Sequence, residues 1–201
     1  MNITTQEQLR KLYEWPEGRA SKKVISELEK HCNNFISKSP FLVISTTDSD
    51  GKMDASPRGG VPGFVHVLNG TTLIIPDSKG NNRVDSLVNI VETGRIGILF
   101  LIPGIEETLR INGSAQISVD SDFIDLFQNE KNRPISCMVV TVEEAFLHCA
   151  KALMRSKLWK DEFMVDKKDF PPMGKMLNDQ LGVNKPIENY EDMAARYKPD
   201  L

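Results

Sequence analysis

The chain has 201 residues, of which 40% are hydrophobic and 26% are charged, and its formal net charge at pH 7 is −3. This length suits one domain with a single core, and the composition is that of an ordinary globular protein. Because the chain lacks a basic excess, nucleic acid is excluded as the main partner. Residues 1–18 have no apolar segment typical of a signal peptide, and the longest apolar run, 96–103, is too short to span a membrane.

The cysteines and histidines do not form a metal-binding motif. Cys32, Cys137 and Cys149 are odd in number and far apart in the chain. This pattern predicts reduced, buried thiols in a cytoplasmic protein. No group of histidine, cysteine and aspartate has the spacing of a zinc site, so we expect no metal.

Residues 1–36 are predicted to form a helical appendage to the main domain. Residues 5–14 and 21–36 have apolar residues at helical spacing, and Pro16 and Gly18 separate the two stretches. No residue in this part carries an obvious chemical function.

The middle of the chain is predicted to be a series of antiparallel strands. Apolar or alternating runs bounded by turn residues occur at 41–47, 53–60, 64–68, 72–75, 95–102, 108–118 and 138–144. The alternation is strict over 108–118, which indicates a strand with one exposed face. Six or seven short strands with few helices predict a small closed barrel.

Within this region, the glycine-rich segment 54–64 has an unusual composition for a strand. It contains three glycines, two prolines and a single arginine, Arg58. Glycine within a strand marks a bulge or a close approach of another backbone or a ligand, and proline cannot donate to the sheet. The planar fork of an arginine suits a phosphate or a carboxylate. We therefore place half of a ligand site here.

The polar loop 76–83 is predicted to provide the other half of this site. It leads into a helix whose apolar residues follow helical spacing, at Val84, Leu87, Val88 and Val91. Asn81 or Asn82 is the predicted N-cap, and Gly94 fits the position after the last turn. A polar loop that ends in an arginine at a helix N-terminus is well suited to an anion.

A charged helix is predicted over 148–159, and residues 161–201 form a tail. The tail contains short helical patches at 173–181 and 188–197 between polar and proline-containing segments. We expect it to pack on the main domain or on a partner subunit.

Two stretches carry a family resemblance, namely SPRGGVPGFVHVLNGTTLIIPDSKGNNRVDSLVNI and GILFLIPGIEETLRINGSAQI. They resemble the pyridoxamine 5′-phosphate oxidase-like FMN-binding split-barrel proteins, and in particular a bacterial branch of FMN-dependent enzymes of unknown substrate. The resemblance covers about residues 35–160. It implies a mainly β fold, a six-stranded antiparallel split β-barrel with flanking helices over residues 37–160. It also implies a homodimer with FMN at the interface.

The resemblance implies which residues hold the flavin. Arg58 and its neighbours would meet the flavin, the loop after the next strand would run along it, and Asn82 and Arg83 would bind its phosphate. Thr108 and Leu109 would approach the ring from the other subunit, and residues of the 148–159 helix would cover it. The complete set is Ser56, Arg58, Gly59, Gly60, Val61, Pro76, Asp77, Ser78, Lys79, Asn82, Arg83, Thr108, Leu109, Lys151, Arg155, Ser156 and Trp159.

Six of these residues also have a purely structural interpretation. Arg58 could pair with a surface carboxylate, and Asn82 with Arg83 could cap a helix and leave a solvated charge. Lys151 and Arg155 could form a solvated helix face. Trp159 could be a packing residue. The histidines His66 and His148 are interpreted as structural, and no residue is assigned a catalytic role.

The function expected from these features is an FMN-dependent oxidoreductase that acts on an unknown small molecule or electron acceptor. The C-terminal Trp and Arg-x-His element of true pyridoxamine phosphate oxidases is missing, because the chain ends in AARYKPDL. Oxidation of the vitamin substrate is therefore in doubt. The alternatives are a non-catalytic carrier of flavin or haem, and a reductase that uses the deazaflavin F420.

Overall fold

The computed structural model describes residues 2–200, so Met1 and Leu201 lie outside the described residues. The strands are β1 Phe41–Thr47, β2 Met53–Gly59, β3 His66–Asn69, β4 Thr72–Asp77, β5 Arg95–Leu101, β6 Thr108–Ser118 and β7 Ser136–His148. The helices are α1 Gln6–Arg10, α2 Arg19–Lys22, α3 Lys30–Lys38, α4 Asp85–Thr93, α5 Ser121–Ile124, α6 Lys151–Ser156, α7 Met173–Leu181 and α8 Tyr190–Tyr197. Short 3₁₀ helices span Asp125–Phe127, Asp161–Phe163, Lys167–Asp169 and Lys198–Asp200.

The strands form one antiparallel sheet in the order β2-β1-β5-β6-β7-β4-β3. The predicted antiparallel architecture with flanking helices is confirmed. The six-stranded barrel is not confirmed, because the described residues form seven strands and leave β2 and β3 as the two edges of an open sheet. Residues 60–65, which connect these edges, are irregular, and Pro62 among them has no N–H to donate to a ladder.

The inner face of the sheet carries the main core. Leu42 of β1 pairs with Phe100 of β5, which pairs with Leu109 of β6, and all three side chains are fully buried. Helix α4 packs on β1 and β2, and Ile90 of α4 joins the same core. Burial of each such side chain stabilises the fold by about 1.5–3 kcal/mol.

A bulge bends the two longest strands, β6 and β7. The register shifts between Asn112 and Gly113, so that Glu143 on β7 has no partner on β6. A β-carbon added at Gly113 would lie 2.0 Å from the backbone oxygen of Thr141. Only glycine therefore fits at this point of the bulge.

The N-terminal part differs from the predicted pair of long helices. Only short helices form, and Ile25 makes an antiparallel bridge to Ala145 of β7, with N–O distances of 3.0 and 2.7 Å. β4 pairs with β7 only along Ser136 to Thr141 of β7. The backbone groups of β7 beyond Thr141 therefore have no partner within β4. Satisfying those groups outweighs the helical pattern of residues 21–28.

Helix α4 forms where it was predicted, but it begins differently and buries another face. Its buried residues are Ser86, Asn89 and Ile90, while Val84, Val88 and Val91 of the predicted apolar face are exposed. Gly94 follows its last turn in the left-handed conformation, at φ 66°, and donates to the oxygen of Ile90. The predicted asparagine N-cap is wrong, because Val84 precedes the helix and offers no capping side chain. Asn81 instead accepts a hydrogen bond from the backbone N–H of Arg83.

The predicted burial of the cysteines holds for two of the three. Cys32 and Cys137 are buried, whereas Cys149 is exposed just beyond β7. Burial raises the pKa of Cys137 to about 11, so this thiol is unreactive at neutral pH. Among residues 2–200, no helix is both long and apolar enough to cross a lipid bilayer.

Candidate functional site

A cleft of about 500 Å³ opens at the ends of β2 and β4, beside the N-terminus of α4. Its far wall is formed by Phe127, Glu130, Asn132, Pro134, Ile135 and Ser136, which lie before and at the start of β7. The cleft brings together these residues predicted from the sequence: Arg58, Gly59, Gly60, Pro76, Asp77, Ser78, Asn82 and Arg83. The glycine-rich segment and the polar loop therefore meet in one place.

The strand register places Arg58 on the inner face of the sheet. Arg58 pairs with Leu42 and Ser56 pairs with Ile44, both of which are buried. Directly opposed residues of an antiparallel pair share one face, so these two polar side chains point toward the interior beneath α4. Ser56 is held there by Asp54 and does not line the cleft, while Val61 and Lys79 are exposed outside it.

An ion pair spans the cleft from β2 to β4. Nη2 of Arg58 lies 3.3 Å from Oδ1 of Asp77, and the two side chains are only 23% and 20% exposed. Burial raises the pKa of Asp77, and the attraction of Arg58 only partly offsets that effect. Nη1 of Arg58 donates to the oxygen of Pro57. Nε of Arg58 is buried without a hydrogen-bond partner among the described residues. The guanidinium thus retains donor capacity for a ligand.

A polar network fixes α4 against β2. Oδ2 of Asp54 accepts hydrogen bonds from the hydroxyls of Ser56 and Ser86. The hydrogen bond from Ser86 holds the pKa of Asp54 below its usual range, so this carboxylate stays ionised. One turn further along α4, Nδ2 of Asn89 donates to Oγ1 of Thr46 at 3.0 Å, and both groups are buried. These contacts hold the start of α4 at the edge of the cleft.

The rim of the cleft is suited to an anion. Because α4 has no side-chain N-cap, the N–H groups of its first turn are left for a ligand or for water. Asn82 adopts a left-handed conformation at φ 60°. Nε of Arg83 lies 2.6 Å from Oδ2 of Asp85, and both side chains are largely exposed. A phosphate at the helix N-terminus would meet backbone amides and the Arg83 charge together.

The wall of the cleft is apolar and contains two aromatic rings that sequence reasoning missed. Phe64, Leu87 and Phe127 line it, and the ring of His66 packs edge-on against Phe127 at 4.7 Å between centroids. A β-carbon at Gly60 would lie 2.7 Å from Cβ of Phe64. Gly60 is therefore required by protein packing, and a close approach of a ligand is not needed to explain it.

The other predicted site residues lie elsewhere in the chain. Leu109 is fully buried in the core, and Thr108 borders a second depression of about 1,120 Å³ on the opposite face of the sheet. We call this depression the outer groove. Its lining residues are Val43, Ser45, Thr46, Thr47, Met53, Arg95, Ile96, Gly97, Ile98, Leu99, Thr108, Arg110, Asn112, Gly113, Glu143, Glu144, His148, Cys149, Ala152 and Leu153.

Residues of α6 flank the outer groove and do not reach the cleft. Lys151, Arg155 and Ser156 are exposed on α6, and Nε1 of Trp159 donates to the oxygen of Ile105 at 2.8 Å. Within one chain, the residues predicted to bind the flavin therefore lie in two separate places, the cleft and the region of the outer groove.

The structure is an α+β fold with an open antiparallel sheet and a cleft where β2 and β4, from opposite sides of the sheet order, approach each other. The family model for pyridoxamine 5′-phosphate oxidase matches residues 28–149, which include all seven strands and the cleft. The chain belongs to the pyridoxamine 5′-phosphate oxidase family. The match leaves out α6 to α8 and the first two helices.

Solved structures are similar to this chain at low sequence identity, and the similarity of the first supports the shared fold. A HupZ variant from Group A Streptococcus is 18% identical with a TM-score of 0.51, covering 60% of this chain and 99% of that one. An FMN-binding protein from Syntrophomonas wolfei is 12% identical with a TM-score of 0.44, covering 58% and 88%. An FAD-binding protein from Mycobacterium smegmatis is 16% identical with a TM-score of 0.44, covering 62% and 97%. A search of curated protein sequences gave no match.

Proposed function

We propose that this chain binds FMN in the cleft and acts as an oxidoreductase on a small molecule or electron acceptor. The observation that carries the proposal is the combination, within one cleft, of an uncapped helix N-terminus, a half-buried arginine and an aromatic wall. The helix N-terminus and Arg83 suit the phosphate, and the apolar wall formed by Leu87 with the buried side chains of Phe64 and Phe127 suits a flat ring. FMN would supply the redox chemistry itself.

The residues of the cleft would bind and orient the flavin. Arg58 has a donor without a partner and is held in place by Asp77, so it can present a fixed positive group to the electron-rich part of a ring. Among the described residues that line the cleft, the acids are Asp77 and Glu130, and there is no histidine, cysteine or tyrosine. We therefore propose direct transfer between flavin and substrate without an imidazole base.

We propose further that two copies of the chain complete the site. The residues expected to cover the ring lie at the outer groove and on α6, away from the cleft of their own chain. The outer face of the sheet also exposes Phe41 and Met53, which are 38% and 65% exposed. A partner that places its outer groove against the cleft would bury this face and bring Thr108 toward the flavin.

The tail, residues 161–200, fits this arrangement. It is exposed along almost its whole length, including Phe163, Phe170 and Leu177. Its last residues return to the wall of the cleft, where Nδ2 of Asn132 donates to the oxygen of Pro199 at 3.1 Å. We propose that the apolar side chains of the tail pack on the partner subunit.

Comparison of FMN with riboflavin tests the phosphate part of the site. Wild-type protein is expected to bind FMN more tightly than riboflavin, because riboflavin lacks the phosphate. Arg83→Ala should reduce that preference by about tenfold, the value of one charge-assisted hydrogen bond. Quenching of flavin fluorescence during titration measures both affinities.

Arg133→Ala is the matched control for this test. Arg133 is also an exposed arginine paired with an aspartate, Asp125, but it does not line the cleft. The preference for FMN should be unchanged in this variant. Equal preferences in wild type and Arg83→Ala would reject the assignment of the phosphate to Arg83.

A further inference from the structure

A cluster of cationic groups lies at one end of the outer groove, around Phe146. Arg110 of β6 is directly opposite Phe146 of β7, and its guanidinium carbon lies 5.2 Å from the centre of that ring. Nζ of Lys23, from the N-terminal segment, lies 5.1 Å from the same centre. The ring of His148 is the next neighbour on this face, 6.5 Å from that of Phe146. Three separate segments of the chain therefore bring positive or ionisable groups together.

This cluster has no neutralising carboxylate. Among the described residues, neither Arg110 nor Lys23 forms an ion pair with an acid. The two acids of the outer groove are already engaged. Glu144 accepts a hydrogen bond from Asn112 at 3.0 Å, and Glu143 pairs with Arg95 at 2.9 Å. Among the described charged residues that line the groove, Arg95 is therefore paired with Glu143, Arg110 has no paired acid, and Glu144 keeps its negative charge.

The side chain of His148 is affected by the same positive charges. Its Nδ1 is buried and has no hydrogen-bond partner among the described residues. Burial lowers the pKa of His148, and the charges of Lys23 and Arg110 lower it further. A buried nitrogen without a partner is unusual in a folded protein. The lowered pKa favours the neutral imidazole, so the repulsion is between Arg110 and Lys23, and an anionic ligand would relieve it.

We propose that the outer groove binds an organic anion, with its carboxylate or phosphate head against Arg110 and His148. The apolar body of such a ligand would lie on Val43, Leu99 and Leu153, which also line the groove. An arginine fork suits either head group, because both present two oxygens in one plane to its N–H donors. The groove, at about 1,120 Å³, has room for a ligand of this kind.

Binding at this site does not require FMN in the cleft, whereas its role as a substrate site rests on the proposed function. No residue that lines the outer groove lines the cleft, and Arg110, His148 and Lys23 assemble within a single chain. In a dimer of the arrangement proposed above, the groove would face the partner's cleft, and the bound anion would then lie beside the flavin as its substrate.

Titration with benzoate tests the site on the full chain, with the flavin content of the sample recorded by absorption. The NMR signals of the imidazole Cε1–H groups report binding, since the chain has only three histidines. We expect the His148 signal to shift saturably with benzoate and not with the neutral analogue benzamide. Phenyl phosphate should compete with benzoate for the same site.

Arg110 provides the variant, and Arg133, which does not line the groove, provides the control. Arg110→Gln should raise the dissociation constant for benzoate by tenfold or more, and Arg110→Lys should lie between that variant and wild type. Arg133→Gln should change it by less than twofold, because Arg133 is an exposed arginine outside the groove. Equal binding of benzamide, or unchanged affinity in Arg110→Gln with an intact histidine spectrum, would overturn the proposal. Either outcome is independent of whether FMN binds the cleft.

Discussion

Replacement of Arg58 by glutamine is expected to weaken FMN binding by about 10- to 100-fold, which corresponds to about 1.4–2.8 kcal/mol. The guanidinium is half-buried in the cleft, and its Nε has no partner among the described residues. Glutamine is shorter and uncharged, so it removes both the fork and the positive charge. Flavin fluorescence quenching measures the affinity, and thermal unfolding shows whether the fold persists.

Asp77→Asn separates the loss of the ion pair from the loss of the arginine. Both variants remove the ion pair between Arg58 and Asp77, but an asparagine at position 77 can still accept a hydrogen bond from Arg58 and hold it in place, so Asp77→Asn is expected to lose less stability. Asp77→Asn keeps the guanidinium and removes a negative charge from the cleft, so FMN affinity should be retained or increased. If the two variants lose FMN affinity to the same extent, Arg58 acts only through the ion pair, and its proposed contact with the flavin is wrong.

The second large effect concerns the bulge between β6 and β7. Gly113→Ala is expected to lower the free energy of unfolding by about 3 kcal/mol. The added β-carbon would lie 2.0 Å from the oxygen of Thr141, and backbone atoms cannot move aside as a flexible side chain can. Urea denaturation followed by circular dichroism measures the change.

Gly80→Ala is the control for that measurement. A β-carbon at Gly80 would meet nothing within 4 Å, so its effect on stability should be less than about 0.5 kcal/mol. If Gly113→Ala is as stable as Gly80→Ala, the bulge does not have the described geometry.

Patterns within single elements were sufficient to predict most of the sheet. The alternation of apolar and polar residues predicted β6 with the bounds that the structure shows, and apolar spacing with Gly94 predicted that α4 is a helix. The same spacing did not predict the buried face of α4, because Val84 and Val88 are exposed. These signals are local, because the period of a strand or helix is determined by its own backbone. The number of strands and the openness of the sheet depend on pairing between distant segments.

Contacts between distant segments account for what the sequence did not reveal. Ser86 binds Asp54 across 32 positions, and the acid that pairs with Arg58 is Asp77 on another strand. Residues 21–28 have a helical pattern, yet Ile25 joins the free edge of β7. The local sequence does not show whether an arginine will be exposed or will point into the interior, because that depends on the register of its strand.

The composition of the glycine-rich segment is compatible with two causes, namely close packing within the protein and close approach of a ligand. Its composition indicated a close approach, and the structure shows which groups come close. At Gly60 the neighbour is Phe64, and at Gly63, which is left-handed at φ 86°, it is the backbone of Ser37. Gly59 and Gly60 also line the cleft, so packing and ligand binding share the segment.

The absorption spectrum of the purified full-length protein, with mass spectrometry of any released cofactor, tests the central proposal most directly. The account predicts a flavin spectrum and the mass of FMN, or, for protein purified without cofactor, saturable binding of one added FMN per chain. A colourless protein that does not bind added FMN would contradict it. So would release of haem or a deazaflavin in place of FMN.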